Sequence, residues 1–373
     1  MKDDPNVAPA ALASASAYRD AAQIAKVRQE RDNAWGLPPA AYLDPQIYAL
    51  ETDRIFRCGW TCVAHRSQVC RPGDYVTARV MDQPVLITHG GDGQIRALSN
   101  VCLHRNAVIA DGCGHRRLFT CPYHAWSYDQ TGRLVGAPLM EGADAITGQL
   151  PALPVWIWMD FIFVAPDPAS PPPVPDLAGL EQRLGADRLN DLVLVGSLPF
   201  SHDWNWKLLV ENFMEAYHHI GPHSRSLEPA FPAAQSRCAA DRAWVLLEMP
   251  GPAHAGPEGG DAQMLHALFI EPGFLLAIYE GGAAWYQMTP TGPHSLELVI
   301  HTLAARALID AAGAEAVAEA ACAQVRRIHE EDIIVNDRVW AGLRAPLAQQ
   351  GRLGPLEETL WRLNQWWLER LGL

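Results

Sequence analysis

The stretch CLHRNAVIADGCGHRRLFTCPYHAW, residues 102–126, decides how this chain is to be read. It presents Cys102-x-His104, sixteen intervening residues, then Cys121-x-x-His124. Two thiols and two imidazoles at that spacing ask for a metal. Zinc sites of the Cys2His2 kind usually pair Cys with Cys and His with His on separate elements. Here each loop supplies one of each. That mixture suits a two-iron cluster, one iron taking both thiolates and the other both imidazoles. A cluster of this kind carries electrons, so the rest of the chain has to show where they go.

The bulk composition sets the frame. The 373 residues, 49% of them hydrophobic, supply cores for two domains. A formal charge of -13 argues against a nucleic-acid or anionic-membrane surface. The start, MKDDPNVAPAALASASAYRD, has neither a basic n-region nor an apolar h-region and does not read as a secretory signal. The longest apolar candidate, VWIWMDFIFVA at 155–165, is short and broken by Asp160, so it reads as buried strands. Eight cysteines without an export signal point to a reducing cytoplasm. Cys58, Cys62 and Cys70 lack histidine partners at metal spacing and read as buried structural thiols, and Cys113 has no evident mate.

Around the quoted stretch, from Asp74 to Trp158, short β-rich runs alternate with turn signals: YVTARVM, PVLITHG, GGDGQ and YDQTGRLVG. PDPASPPPVP, 166–175, is too proline-rich for helix or central strand and reads as a linker. Beyond it AWVLLEMP, LHALFIE, FLLAIYEG, AWYQMTP and SLELVIHTL read as strands. A long Ala-rich helix runs from about Ala311 to Leu343, and LEETLWRLNQWWLERL closes the chain as another. The fold class is α+β: a small all-β domain and a larger domain of antiparallel sheet covered by helices. The expected limits are 1–44 for an N-terminal helical segment, 45–165 for the cluster domain and 166–373 for the catalytic domain.

The second domain carries its own polar anomaly. Read as a helix, NWKLLVENFMEAYHHIGPH (205–223) aligns Glu211, Asn212, Glu215 and either His218 or His219 in a polar ridge flanked by apolar residues. Such groups are costly unless paired or metal-bound. His218 and His223 lie five apart with Gly221 and Pro222 ending the helix between them, so they can converge on one ion. In the late helix, Val325, Ile328, Val335 and Val339 share a face, and Asp332 fills the gap in that seam; Glu331 falls with Arg327 and Arg338 on an exposed face. Two histidines and one carboxylate make the facial triad that holds non-haem Fe(II) with positions left open for O2.

These motifs carry a resemblance. CLHR and CPYHAW resemble the cluster-binding loops of the Rieske domain in ring-hydroxylating and related oxygenases. ENFMEAYHHIGPH is similar to the mononuclear-iron motif of the α subunits of that family, and EEDIIVNDRVWAGLRAP with GRLGPLE to their C-terminal signature. Two departures are visible, Asn106 and Ala125, where the family usually has glycine. The resemblance implies a helix-grip, START-like catalytic domain. It assigns Cys102 and Cys121 to one cluster iron, His104 and His124 to the other, and His218, His223 and Asp332 to the mononuclear iron, leaving His219 spare. It makes Glu215 the acid that bridges a neighbouring subunit's Rieske histidine to His218, within a head-to-tail homotrimer. It also implies O2 as co-substrate and NADH as donor through a separate flavin/iron-sulfur reductase, with or without a ferredoxin. Glu215, where most aromatic-ring dioxygenases have aspartate, and YQMTPTGP resemble the branch acting on carnitine, glycine betaine and choline. That branch implies monooxygenation or N-demethylation of a quaternary ammonium or N-methyl compound. A cation would call for aromatic side chains, and Tyr279, Trp285 and Trp340 are candidates that read equally as core packing. An aromatic-ring dioxygenase or hydroxylase is the alternative, and an electron carrier or zinc protein without oxygenase activity is a third reading.

Overall fold

Alternation of apolar side chains builds the first domain. In the strand Gln83–His89, Val85 and Ile87 turn to one core while Leu86 turns to another. It is the central strand of a five-stranded antiparallel sheet ordered Cys113–His115, Asp74–Val80, Gln83–His89, Ile95–Ser99, Ala152–Leu153. The Leu86 core also contains Tyr75, Phe119, Tyr128 and both cysteines of the quoted stretch. A second sheet, Leu118–Thr120, Ser127–Asp129 and Leu134–Gly136, closes over that core, and the turn joining its first two strands is CPYHAW. The structure, a computed structural model, describes residues 21–140, 147–185, 189, 191–252 and 263–373. The acidic leader up to residue 20 lies outside them.

The 155–165 stretch forms two antiparallel strands, Val155–Trp158 and Phe161–Val164, the latter also paired with Thr61–His65. Phe161–Val164 is buried on both faces: Ile162 and Val164 belong to the first domain's core, Phe161 and Phe163 to a core shared with the second domain. Cys62 is buried as expected, whereas Cys58 and Cys70 are exposed, because they fall in surface turns flanking the short sheet rather than in a strand.

The second domain is a seven-stranded antiparallel sheet. Arg237–Ala240, Trp244–Pro250, Met264–Ile270, Phe274–Tyr279, Gly282–Gly292 and Ser295–Ala305 follow one another as a meander, and Leu192–His202 pairs with Ser295–Ala305 at the far edge. The first strand in sequence therefore lies at one edge and the second at the other. The segment between them must cross a sheet face. That crossing carries the helix Trp206–Phe213 and the His-rich loop after it. The late helical region crosses the same face, as Arg306–Ala312 and Ala314–Leu343, broken at Gly313, whose φ of 86° is a conformation glycine adopts readily. The closing helix Glu358–Leu371 buries Leu363, Trp367 and Leu371 in the same layer, with Ile47 and Phe56, which fall within the expected 45–165 segment but pack here. No helix among the described residues is long and apolar enough to cross a membrane.

The opposite sheet face packs on the first domain. Phe161 meets Phe274 edge-on at 5.0 Å between ring centroids and Trp285 at 5.8 Å. The proline-rich stretch is no swinging tether, since Trp60 donates its indole N–H to the Pro173 carbonyl at 3.2 Å. Phe161→Ala removes a fully buried ring from this joint and should cost about 3–5 kcal/mol in denaturant unfolding. Loss of a single cooperative transition, with the first domain unfolding ahead of the second, is the accompanying signature.

Candidate functional site

The two loops of the first domain share one backbone frame. The Cys102 amide donates to the Ala107 carbonyl at 2.9 Å, and the Asn106 amide to the Cys102 carbonyl at 3.0 Å. In the second loop the Cys121 amide donates to Trp126 at 2.8 Å, and the Ala125 amide to Cys121 at 3.1 Å. Each turn closes through one left-handed residue, Asn106 at φ 57° and Ala125 at φ 58°. This is where glycine would be cheapest. Asparagine tolerates the conformation; alanine is strained there.

The frame buries both thiols and brings the histidines together. Cys102 and Cys121 are 1% and 2% exposed and neither is in a disulfide. The His104 and His124 ring centroids lie 4.6 Å apart, and His104 stacks flat on Trp126 at 4.8 Å. The Tyr128 hydroxyl lies 3.2 Å from Cys102 Sγ and accepts from the Leu103 amide at 3.0 Å. Burial would raise the Cys102 thiol, but hydrogen bonds from Tyr128 and nearby amides hold it below its ordinary value. His104 Nδ1 is buried without a protein partner. Two buried thiols, that of Cys102 inclined to ionise, beside an unpartnered imidazole nitrogen are a donor set that fits a two-iron cluster.

In the second domain the helix ends at Phe213, earlier than the sequence pattern implies. Glu215 therefore sits in a turn, where its carboxylate accepts from the His218 amide at 3.0 Å and from His218 Nδ1 at 2.6 Å. His218 Nε2 points at Asp332 Oδ1, 3.5 Å away, and His223 Nε2 lies 2.8 Å from the same oxygen. Ligand atoms of His218, His223 and Asp332 all fall within 4.8 Å of one another. His219 turns away, its Nδ1 3.1 Å from the Phe231 carbonyl, and burial lowers it to about 4.

The electrostatics follow from these partners. Burial works against the His218 imidazolium, yet hydrogen bonds to Asp332 and Glu215 push it up to about 10. Burial likewise favours a neutral Asp332, but His218 and His223 hold its carboxyl well below the usual range. Both Nε2 atoms thus aim at one carboxylate oxygen, and a divalent cation is the natural replacement for the protons between them. Each imidazole also has its other nitrogen fixed by a carboxylate. For His223 that partner is Glu331, 2.6 Å from Nδ1 and also receiving the Ser226 hydroxyl at 2.5 Å. Glu331 was expected on an exposed face with Arg327 and Arg338. It is drawn inward because the loop Gly221–Ser226 folds back over the helix, a contact between residues 108 apart that helical periodicity does not register. The buried line of the long helix, Val325, His329, Asp332, Asn336 and Trp340, has polar side chains at its three middle positions, while Val339 is exposed.

Beside the triad lies a cavity of about 860 Å³, counted with its mouth. Phe213, Phe231, Tyr279 and Tyr286 supply its aromatic walls, and Asn212, Gln324 and His329 some of its polar edge. Of the three aromatic residues singled out from the sequence, Tyr279 lines it, with its hydroxyl pushed up to about 12 by burial. Trp285 does not: adjacent strand residues face opposite sides, so Tyr286 takes the cavity and Trp285 packs against the first domain and His301. Trp340, two turns beyond Asp332, packs against His294 instead. Alternation along AWYQ would have pointed to Tyr286 once the sheet's outer face was known. Phe213 and Phe231 carried no separable signal.

Comparison with known proteins agrees with this geometry. Residues 59–154 match the Rieske [2Fe-2S] domain, and residues 189–373 the catalytic domain of the ring-hydroxylating α subunit. The chain belongs to the Rieske-type ring-hydroxylating oxygenase α-subunit family. A carnitine monooxygenase oxygenase subunit of Acinetobacter baumannii is 32% identical over 219 residues, covering 57% of each chain. The chloroplastic choline monooxygenase of Arabidopsis thaliana is 26% identical over 351 residues, 87% of this chain and 80% of that protein. The chain thus spans little more than half the length of the carnitine relative it matches, and more of the choline one. The fold is shared with a quaternary ammonium Rieske monooxygenase (TM-score 0.78, 23% identity, 89% of this chain and 95% of that one). It is also shared with a Rhodococcus naphthalene 1,2-dioxygenase (TM-score 0.74, 19% identity, 94% and 96%).

Ala125→Gly should relieve the left-handed strain and raise stability by about 1 kcal/mol, read from the thermal midpoint of the chain with its cluster intact. Glu331→Ala should weaken ferrous-iron retention in the second domain by about 10- to 100-fold, read by chelator competition, with the cluster spectrum unchanged.

Proposed function

We propose that this chain is the terminal oxygenase component of a multicomponent Rieske system. It would hydroxylate a carbon beside nitrogen in a quaternary ammonium or N-methyl compound. The observation that carries the reading is the pairing of a Cys102/His104/Cys121/His124 loop frame with a His218/His223/Asp332 triad that opens onto an apolar cavity. The names of the carnitine and choline relatives support the substrate class. In this reading Cys102 and Cys121 hold one cluster iron and His104 and His124 the other, while His218, His223 and Asp332 hold mononuclear Fe(II). The domain division is 1–44, 45–165 and 166–373.

When bound, the two iron centres supply electron relay and O2 reduction. The chain's own residues do the rest. Glu215 and Glu331 hold His218 and His223 by Nδ1, so that each presents Nε2. The aromatic walls keep water from the substrate and turn its N-methyl group toward the triad. One oxygen atom enters a C–H bond beside nitrogen and the other leaves as water, consuming two electrons and two protons. The resulting N-hydroxymethyl group then collapses to formaldehyde and the demethylated amine.

The electrons come from NADH through a separate flavin/iron-sulfur reductase in the cytoplasm. The partner surface is proposed as a second and third copy of the chain, arranged head to tail. His124 is exposed at the cluster tip beside Tyr123, 56% exposed, and Leu103, 39% exposed. Glu215 lies beside Tyr217 and Ile220, 50% and 57% exposed. Two apolar patches, one around a histidine and one beside a carboxylate, suit such a contact.

Purified protein should carry three irons per chain and, with reductase, NADH and an N-methyl ammonium substrate, release formaldehyde. Two irons or zinc alone would refute the oxygenase reading, and a product bearing two new oxygens would move it to ring dioxygenation. Glu215→Gln should retain mononuclear iron and a reducible cluster, yet slow cluster reoxidation in single-turnover mixing with O2 and substrate by about 100-fold or more, the scale on which general acid–base and positioning residues act. Reoxidation at the parent rate would remove Glu215 from the path.

A further inference from the structure

The cavity's floor and its missing charges narrow the substrate further than its position does. Ala267, Ala277 and Ala284 are direct cross-strand partners on three successive strands, and all three line the cavity. The sheet therefore offers only methyl groups across this row, and the void stands above them. Its walls carry aromatic rings: Phe213 and Tyr286 approach at 4.8 Å between centroids, with Tyr279 on the neighbouring strand. No Lys or Arg is among the described lining residues. The two carboxylates among the described lining residues, Glu215 and Asp332, are already engaged by His218 and His223. Gln324, exposed on the long helix at the cavity's rim, ends in a neutral amide.

Two ligand charges fare differently in such a place. A quaternary ammonium needs no counter-ion, because the faces of aromatic rings attract it directly. With the N-methyl group turned to the triad, a carboxylate at the far end of the same molecule would be desolvated away from the metal, with no guanidinium or ammonium among the described lining residues to receive it. Resting on the proposed N-methyl oxygenation, we propose that the substrate is an alkylammonium or N-methylamine that carries no carboxylate. The alanine row gives it room for an uncharged alkyl or hydroxyalkyl arm. The cavity is then a filter against zwitterionic methylammonium acids, set by the absence of a basic side chain among its described lining residues.

Calorimetric titration of the intact, cluster-containing chain tests this with matched pairs: choline against glycine betaine, and butyltrimethylammonium against 4-trimethylammoniobutanoate. Within each pair the carboxylate-free member should bind at least about 100-fold more tightly, the ratio expected when a buried charge lacks its partner. Gln324→Arg should narrow that ratio about tenfold or more by tightening the carboxylates. Ala277→Leu, which fills the floor, should weaken the butyl compound more than choline. Carboxylates that bind as tightly as their partners, or a ratio unmoved by the arginine, would overturn the inference while leaving N-demethylation standing. If no ammonium compound binds and a neutral aromatic such as indole does, the underlying functional reading fails as well.

Discussion

Everything in the second domain is organised so that one carboxylate oxygen, Asp332 Oδ1, can meet two imidazoles that enter from a different part of the chain. Asp332 stands near the middle of a thirty-residue helix, and His218 and His223 sit in a loop more than one hundred residues earlier. They meet because both segments must cross the same sheet face. The loop crosses because the first two strands of the domain occupy opposite edges, and the helix crosses because it leaves from the last strand of the meander. A carboxylate and two histidines buried side by side would be a liability in a closed core. Here two further carboxylates, Glu215 and Glu331, fix the rings from behind, one each, so rotation of either imidazole would break two interactions at once.

The two faces of that sheet divide the labour. One is a conventional joint: Phe274 and Trp285 of the sheet interlock with Phe161 and Phe163 of the first domain. The other supports the helices only along its margins, and over its centre the alanine row leaves the helices without a partner to pack on. Strand alternation makes this division possible, since consecutive residues such as Trp285 and Tyr286 serve opposite faces. A single-residue slip would send tryptophan into the cavity and tyrosine into the joint.

How much of this is legible in the sequence depends on the range over which each signal acts. The Cys/His pairs are local, and the spacing of His218 and His223 is local; both sets come together in space. Asp332 is legible because a helix has a known period, and a carboxylate on an inward stripe stands out. Glu331 is misread for the same reason: periodicity places it outward, and only the tertiary fold of Gly221–Ser226 supplies its partner. Glu215 is correctly paired with His218 although the helix supposed to carry it stops two residues earlier. The strand segments are found almost to the residue because each is an apolar run bounded by turns, whereas Leu192–His202 and Arg237–Ala240, less regular in pattern, are not distinguished. Trp285 and Trp340 fail as cavity residues because size and aromaticity say nothing about which face a strand or helix turns toward.

The shared frame of the two cysteine loops separates what shapes each turn from what would bind metal. Each loop closes with backbone hydrogen bonds to its own cysteine carbonyl and amide, and none of those bonds uses a sulfur or an imidazole. The Tyr128 hydroxyl adds one bond to the Leu103 amide. Asn106 and Ala125, in place of glycine, reduce the freedom of the unfolded chain at the two closing positions. Turn and donors are therefore separable, since exchanging any one of the four side chains removes none of the backbone bonds that close its loop.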